Sequence, residues 1–228
     1  MIELWELQGL DDRRYSTFSW RTRWALKHKG LDFESHLVNQ TDKTAIAFSK
    51  GTTVPIIRDQ NAVVRDSWQI AEYLERSYPD SPSLFGSEHG HALTRFFNLW
   101  VNRSLVGPAF AVLACDSILI QNPVDHAYFA GLIKQLTQVA PEELKRKQPE
   151  NLTQLHKALE PARATLKRQK FIAGLTPGYA DYALASIFQW ARIVSPLRVL
   201  ESDPVLSAWF DQMLDLYGGF GRDTPAFY

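Results

Sequence analysis

Apolar positions come in short runs through the first third of the chain and then change to a helical period that persists to the end. Ile2 to Leu7 reads as a strand, Thr17 to Lys29 as an amphipathic helix and Phe33 to Val38 as a second strand, which together make a βαβ unit. A polar stretch at about Gln40 to Gly51 is expected to be irregular. Beyond it Val54 to Ile57 and Ala62 to Arg65 predict two strands joined through Arg58-Asp59-Gln60-Asn61, because Asp and Asn tolerate the left-handed backbone of tight turns. A helix is expected from Ser67 to about Tyr78, stopping ahead of Pro79. The order β-α-β followed by β-β-α is that of a thioredoxin-like domain.

From His91 onward Leu93, Phe96, Phe97 and Trp100 fall at helical spacing. Further helices are expected over roughly Val124 to Ala140, Leu152 to Gln169, Tyr179 to Val194 and Val205 to Tyr217, giving an all-α bundle. Two prolines and small polar residues in Tyr78-Pro79-Asp80-Ser81-Pro82-Ser83 mark the connection. The expected division is therefore an α/β domain over 1–80, a linker over 81–89 and a helical domain over 90–228. The charged run Glu142 to Lys147 reads as a solvated helix face or loop, and no repeat or low-complexity tract is present.

Composition narrows the ligand. At 228 residues and 45% apolar content the chain can bury a sizeable core. Lys plus Arg and Asp plus Glu number 25 each, so no overall field draws in nucleic acid or an anionic membrane, and a small neutral or mixed-charge ligand fits better. The single cysteine, Cys115, excludes an intrachain disulfide and a cysteine-rich zinc site and suggests a reducing, cytoplasmic setting. Lying among Leu113, Ala114 and Ile118, it is expected to be a buried inert thiol. The six histidines lack metal-site spacing, so no metal is expected. The first ten residues lack the pattern of a secretory signal, and no apolar stretch approaches the ~20 residues of a membrane span.

Three segments carry candidate chemistry. Tyr15-Ser16-Thr17-Phe18-Ser19 sits where the first strand gives way to the first helix. The free N–H groups and partial positive charge there favour an anion such as a thiolate, and a hydroxyl can add a hydrogen bond. Ser16 or Thr17 also serves as an ordinary N-cap. Thr53-Val54-Pro55-Ile56 places a proline at the head of a strand. A cis bond at Val54-Pro55 would turn the Val54 backbone outward to pair with a peptide, although a plain strand-start proline fits the pattern too. Asp66-Ser67 opens a helix, where a ligand carboxylate can take the N–H groups and the Ser67 hydroxyl while Asp66 pairs with an ammonium; the same two residues can simply cap the helix.

Taken in order, Ser16 before Trp20-Arg21, Val54-Pro55, and Asp66-Ser67 before Ile70-Ala71-Glu72-Tyr73-Leu74 resemble the glutathione-binding domain of glutathione transferases. Phe171-Ile172-Ala173-Gly174 and Ala180-Asp181-Tyr182 resemble the start of that family's buried helix, with Asp181 structural and Gly178 where a Ser or Thr usually completes a capping box. Trp20-Arg21-Thr22, Ala25 to Gly30, Asp66-Ser67-Trp68, Val106-Gly107-Pro108 and Gly219-Phe220-Gly221-Arg222 are similar to segments of the bacterial β-etherases and their fungal etherase-like relatives. Thr17 stands where proline often follows the active-site serine, which keeps Tyr15, Thr17 and Ser19 as rivals of Ser16.

The resemblance implies glutathione as co-substrate, with Ser16 facing its sulfur, Val54 and Pro55 at its cysteinyl unit, and Asp66 and Ser67 at its γ-glutamyl end. It implies Lys50, and less directly Gln40, at the glycyl carboxylate. A hydrophobic second-substrate pocket is expected from Phe18, Pro108 and Phe110, while Trp100 and Trp190 are further aromatics that can face the same cleft. The implied activity is thiolate transfer to an aromatic or other apolar electrophile, or cleavage of an aryl ether, in a detoxifying cytoplasmic homodimer. A non-catalytic, glutathione-dependent carrier of hydrophobic ligands is the alternative.

Overall fold

The computed structural model describes residues 1–228. Four strands, β1 (Ile2–Leu7), β2 (Phe33–Val38), β3 (Ile56–Asp59) and β4 (Ala62–Arg65), form one sheet in the order β2-β1-β3-β4. β1 runs parallel to β2 and antiparallel to β3, which pairs antiparallel with β4. Being central, β1 is buried on both faces: Ile2 and Leu4 join the main core, while Trp5 packs with Val38, Ile46 and Ile56 on the opposite side. Glu6 in the same strand is fully buried and compensated by Arg23 (2.6 Å), Ser35 (2.7 Å) and Arg14 (3.2 Å). The hairpin turn is shorter than the expected four residues: Arg58 and Asp59 remain in β3, and only Gln60-Asn61 turn, with Gln60 at φ 52°.

Helices α1 (Thr17–His28) and α2 (Ser67–Ser77) cover the main-core face, their apolar sides led by Trp20, Trp24, Ile70 and Leu74. The thioredoxin-like arrangement is thus present, with a helical domain behind it. Glu75 ties the connection down, accepting Leu84 N–H (3.0 Å) and the Ser83 hydroxyl while pairing with Lys29 Nζ (2.7 Å). Ser87 then caps Gly90 N–H, so α3 (Glu88–Trp100) begins inside the stretch expected to be linker.

A π-helical turn, Val101–Leu105, joins α3 to α4 (Val106–Leu119). There follow α5 (Pro123–Thr137), α6 (Pro141–Arg146), α7 (Gln148–Ala158), α8 (Glu160–Leu166), α9 (Tyr179–Val194) and α10 (Pro204–Gly219). The single helix expected over Leu152 to Gln169 is two helices, because Pro161 in the first turn of α8 has no N–H to continue α7. Charged Glu142 to Lys147 is largely helical, and its Lys145 reaches the buried Asp116 at 2.5 Å. In α10 the backbone departs from helix at Leu216–Gly218.

Every residue of α9 is buried, so this helix is enclosed on all sides, with α1 packed along it. Asp181 holds its start by accepting N–H groups from Ile172 (2.7 Å), Ala173 (3.0 Å), Gly178 (3.1 Å) and the Trp209 indole (3.1 Å). Burial pushes its carboxyl up to about 6 despite these donors. The Gly178 N–H supplies the return half of a capping box whose hydroxyl half is missing.

Candidate functional site

A cavity of about 460 Å³ opens where the starts of α1 and α2 meet the loop between β2 and β3. Its wall includes Ser16, Phe18, Gln40, Val54, Pro55, Asp66 and Ser67. Each is placed by an element end. Ser16 is the N-cap of α1, and its Oγ accepts Ser19 N–H at 3.2 Å, which leaves its own hydroxyl hydrogen free to donate. Asp66 caps α2 in a left-handed conformation (φ 68°), with Oδ1 accepting from Trp68 N (2.9 Å) and Gln69 N (3.1 Å) and Oδ2 outside both bonds. Ser67 opens α2, where its own N–H, left free once Asp66 has taken those of Trp68 and Gln69, and the helix dipole favour an anion.

The Val54-Pro55 peptide is cis. Val54 lies between the loop and β3 and exchanges no backbone hydrogen bond with the sheet, so its N–H and C=O are available to an extended peptide.

The four hydroxyls competing for the sulfur part company here. Thr17 Oγ1 donates to Ser186 Oγ at 2.9 Å, in the seam with α9. Tyr15 donates to Gln121 Oε1 at 2.8 Å, and burial pushes its phenol pKa up, so it stays protonated. Ser19 Oγ is buried without a partner and away from the cavity wall. Ser16 alone of the four lines the cavity.

The cation on the wall is Lys43, not Lys50. Lys50 adopts a left-handed conformation (φ 56°), its side chain is exposed, and its carbonyl accepts Arg65 Nη1 at 2.7 Å. Lys43 Nζ donates to Thr52 O at 3.0 Å and lies 5.9 Å from the ring centre of Tyr128. Tyr128 comes from α5 and also faces the cavity, a placement that no local motif announces.

The loop bearing Gln40 and Lys43 is held from the helical domain. Asp125, fully buried on α5, accepts Gln40 N (2.7 Å), Thr41 N (2.8 Å) and Thr41 Oγ1 (2.6 Å). Asn122 adds a bond to Asn39 at 2.8 Å.

Of the expected hydrophobic pocket only Phe18 lines this cavity. Phe110 packs on Phe129 and Trp190, both with centroids 6.3 Å away, and Pro108 is likewise absent from the wall. Trp190 is core, donating to Ser117 Oγ at 3.2 Å, and Trp100 packs against Phe97. Cys115 is partly exposed rather than buried, donates to Pro141 O, and has its thiol pKa raised by burial, which disfavours the thiolate. No group of three or more His, Cys, Asp or Glu is placed to hold a metal, and no helix is long and apolar enough to cross a membrane.

A probable glutathione S-transferase of Glycine max is 24% identical over 88% of this chain and 80% of its own length. Glutathione S-transferase Z2 of Arabidopsis thaliana is 36% identical over 83 residues, 34% of this chain and 37% of that protein. Among solved structures, glutathione transferase GSTFuA3 of Phanerochaete chrysosporium superposes with a TM-score of 0.76 at 25% identity, covering 96% of this chain and 92% of that one. A glutathione S-transferase of Ceriporiopsis subvermispora, solved in complex with glutathione, shares the fold with a TM-score of 0.77 at 21% identity, covering 97% and 93%. Residues 15–77 match the glutathione S-transferase N-terminal domain and residues 92–212 the C-terminal domain, and the chain belongs to the glutathione S-transferase family.

Proposed function

We propose that this protein is a serine-type glutathione transferase in which Ser16 donates its hydroxyl hydrogen to the sulfur of bound glutathione. The observation that carries the reading is that Ser16 alone among Tyr15, Ser16, Thr17 and Ser19 reaches the cavity, with its hydrogen uncommitted. Val54 presents backbone groups to the cysteinyl unit beside Pro55. Ser67 and the start of α2 take the γ-glutamyl carboxylate, and Asp66 Oδ2 takes the ammonium. Lys43 replaces Lys50 as the partner of the glycyl carboxylate, with Gln40 beside it.

Stabilising the thiolate is the main contribution of these residues. The sulfur attacks an electrophilic carbon of an apolar substrate and a C–S bond forms. The bond to the leaving group breaks with its electron pair, and the thiol proton passes to solvent. An aryl ether, from which a phenolate departs, belongs to this substrate class. Phe18 and Tyr128 offer the aromatic wall beside the cavity. Leu93, Phe96 and Leu99 leave an exposed apolar stripe on α3 that suits a second copy of the chain. The lone thiol suits a cytoplasmic location.

The test is conjugation of a chlorodinitrobenzene-type substrate and phenol release from an aryl ether. Ser16→Ala is expected to lose 10²-fold or more in turnover, roughly the value of one donor to a developing or stable anion, while retaining glutathione binding by calorimetry. Undiminished turnover would sink the role of Ser16, and glutathione binding with no turnover on either substrate would favour the ligand carrier.

A further inference from the structure

Arg21 is a fully buried guanidinium with no carboxylate against it. Its Nε donates to Ser186 Oγ (3.1 Å), and its Nη1 to Asn98 Oδ1 (3.0 Å) and Asn102 Oδ1 (2.7 Å). Nη2 has no partner at all. The ring of Phe18 covers it, 4.7 Å from centroid to Cζ, and Phe18 lines the glutathione cavity. A buried cation this costly is normally paired with an acid, as Arg23 is with Glu6. Here the hydrogen-bond partners are neutral oxygens, and the nearest carboxylate, Asp66, acts on the charge only through space.

Two features of the chain accommodate this exception. Asn98 and Asn102 reach the same nitrogen across the π-helical turn that follows α3. Ser186 accepts both Arg21 and Thr17, and donates in turn to Ala183 O, so its hydroxyl is saturated. Through Thr17 the guanidinium is tied to the residue next to Ser16. Arg21 lies five positions beyond the Ser16 cap, about 7–8 Å along the axis, and helical side chains lean toward the N-terminus. The ionisable groups around it are Asp66 at the start of α2 and the Tyr179 phenol on α9, whereas α3 and the π turn present only the two asparagines.

We propose that Arg21 is a positioning residue whose charge, bonded to no carboxylate and acting through the ring of Phe18, lowers the pKa of the glutathione thiol bound at Ser16. The inference rests on the functional reading above. It adds a second source of thiolate stabilisation, behind the cavity wall, to the hydroxyl and the helix end. Low surrounding polarisability lets the field reach the sulfur with little screening. Burial also lowers the pKa of Arg21 to about 10, which still leaves it charged at neutral pH.

The test is an absorbance titration of the thiolate band of reduced glutathione bound to the full-length protein. Arg21→Met is expected to raise the thiol pKa by about one unit, a tenfold loss of thiolate at neutral pH. Arg21→Lys restores most of it. Asn102→Asp keeps the arginine but sets a carboxylate against it, and is expected to raise the thiol pKa in the same direction; this variant carries the test if Arg21→Met does not fold. The pH profiles of kcat/KM for variant and wild type should converge at high pH, where the thiol ionises unaided. Unchanged thiol pKa values in folded Arg21→Met or Asn102→Asp overturn this inference alone. Absence of any titrating thiolate band in the wild type at saturating glutathione overturns it together with the functional reading.

Discussion

Lys43 and Asp181 are two charged residues with opposite kinds of work. Lys43 is exposed and lies on the cavity wall, so its contribution should fall on ligand affinity and not on folding. Lys43→Met is expected to raise the KM for glutathione roughly tenfold, about 1.4 kcal/mol, with kcat and melting temperature nearly unchanged, and steady-state kinetics check it. Asp181 is buried and gathers four N–H donors, three of them from the backbone. Asp181→Ala strands all four, and a loss of about 3–5 kcal/mol in urea unfolding is expected from comparable buried charged networks. The residues proposed to position the ligand were readable where local backbone chemistry marks them: Ser16 and Asp66 cap helices, and Pro55 heads a strand. Lys43 carried no such mark, because its place is set by Asp125, more than eighty positions further along the chain.

At the scale of elements, α1 is fastened to its neighbours by a chain of hydrogen bonds with a defined proton count. His28 Nε2 faces Ser83 O at 3.0 Å and must carry the hydrogen, since a carbonyl only accepts. Nδ1 therefore accepts from Tyr182 OH at 2.6 Å, which accepts from Tyr217 OH at 2.5 Å. The chain is complete with a neutral imidazole, and burial lowers the His28 pKa below 6.5. The stabilisation is then fully present above pH 6.5, the value in the unfolded chain, and is lost as pH falls through the depressed folded value. Melting temperature should drop between pH 7.5 and pH 5.5, and His28→Asn should flatten that dependence; parallel curves for the two proteins would refute it. Helix positions were legible from periodicity, and Tyr179 to Val194 coincides with α9. The facing of α4 was not. Phe110 packs toward Phe129 and Trp190 instead of the cleft because contacts with α5 and α9 rotate the helix, which spacing alone does not encode.

At the scale of the whole molecule, the largest core is a continuous cluster of 42 buried residues running from the sheet through α1 into the helical bundle. The proposed second copy of the chain would cover the face of α3 on which Leu93 and Phe96 are each 71% exposed. Phe96→Glu is expected to shift the protein toward monomer in light scattering while leaving the far-ultraviolet circular dichroism intact, and an unchanged mass would move the interface elsewhere. The two-part architecture was legible because the hydrophobic period changes from strand-like runs to helical repeats near residue 90. How tightly the parts are joined was not, since the bonds across the seam link residues far apart in sequence.

Those bonds limit how the protein can be recombined. Leu10 N–H bonds Ile120 O at 2.7 Å, Tyr15 bonds Gln121, Thr17 bonds Ser186, and Asp125 holds Gln40 and Thr41. Gly9 passes so near Ile120 that a Cβ there would lie 2.7 Å from its carbonyl oxygen. A chimera that grafts the first eighty residues onto the helical half of a distant relative would leave these donors dangling. Laboratory shuffling of specificity in this chain should therefore keep 120–125 travelling with 9–17 and 39–41, as a single heritable block.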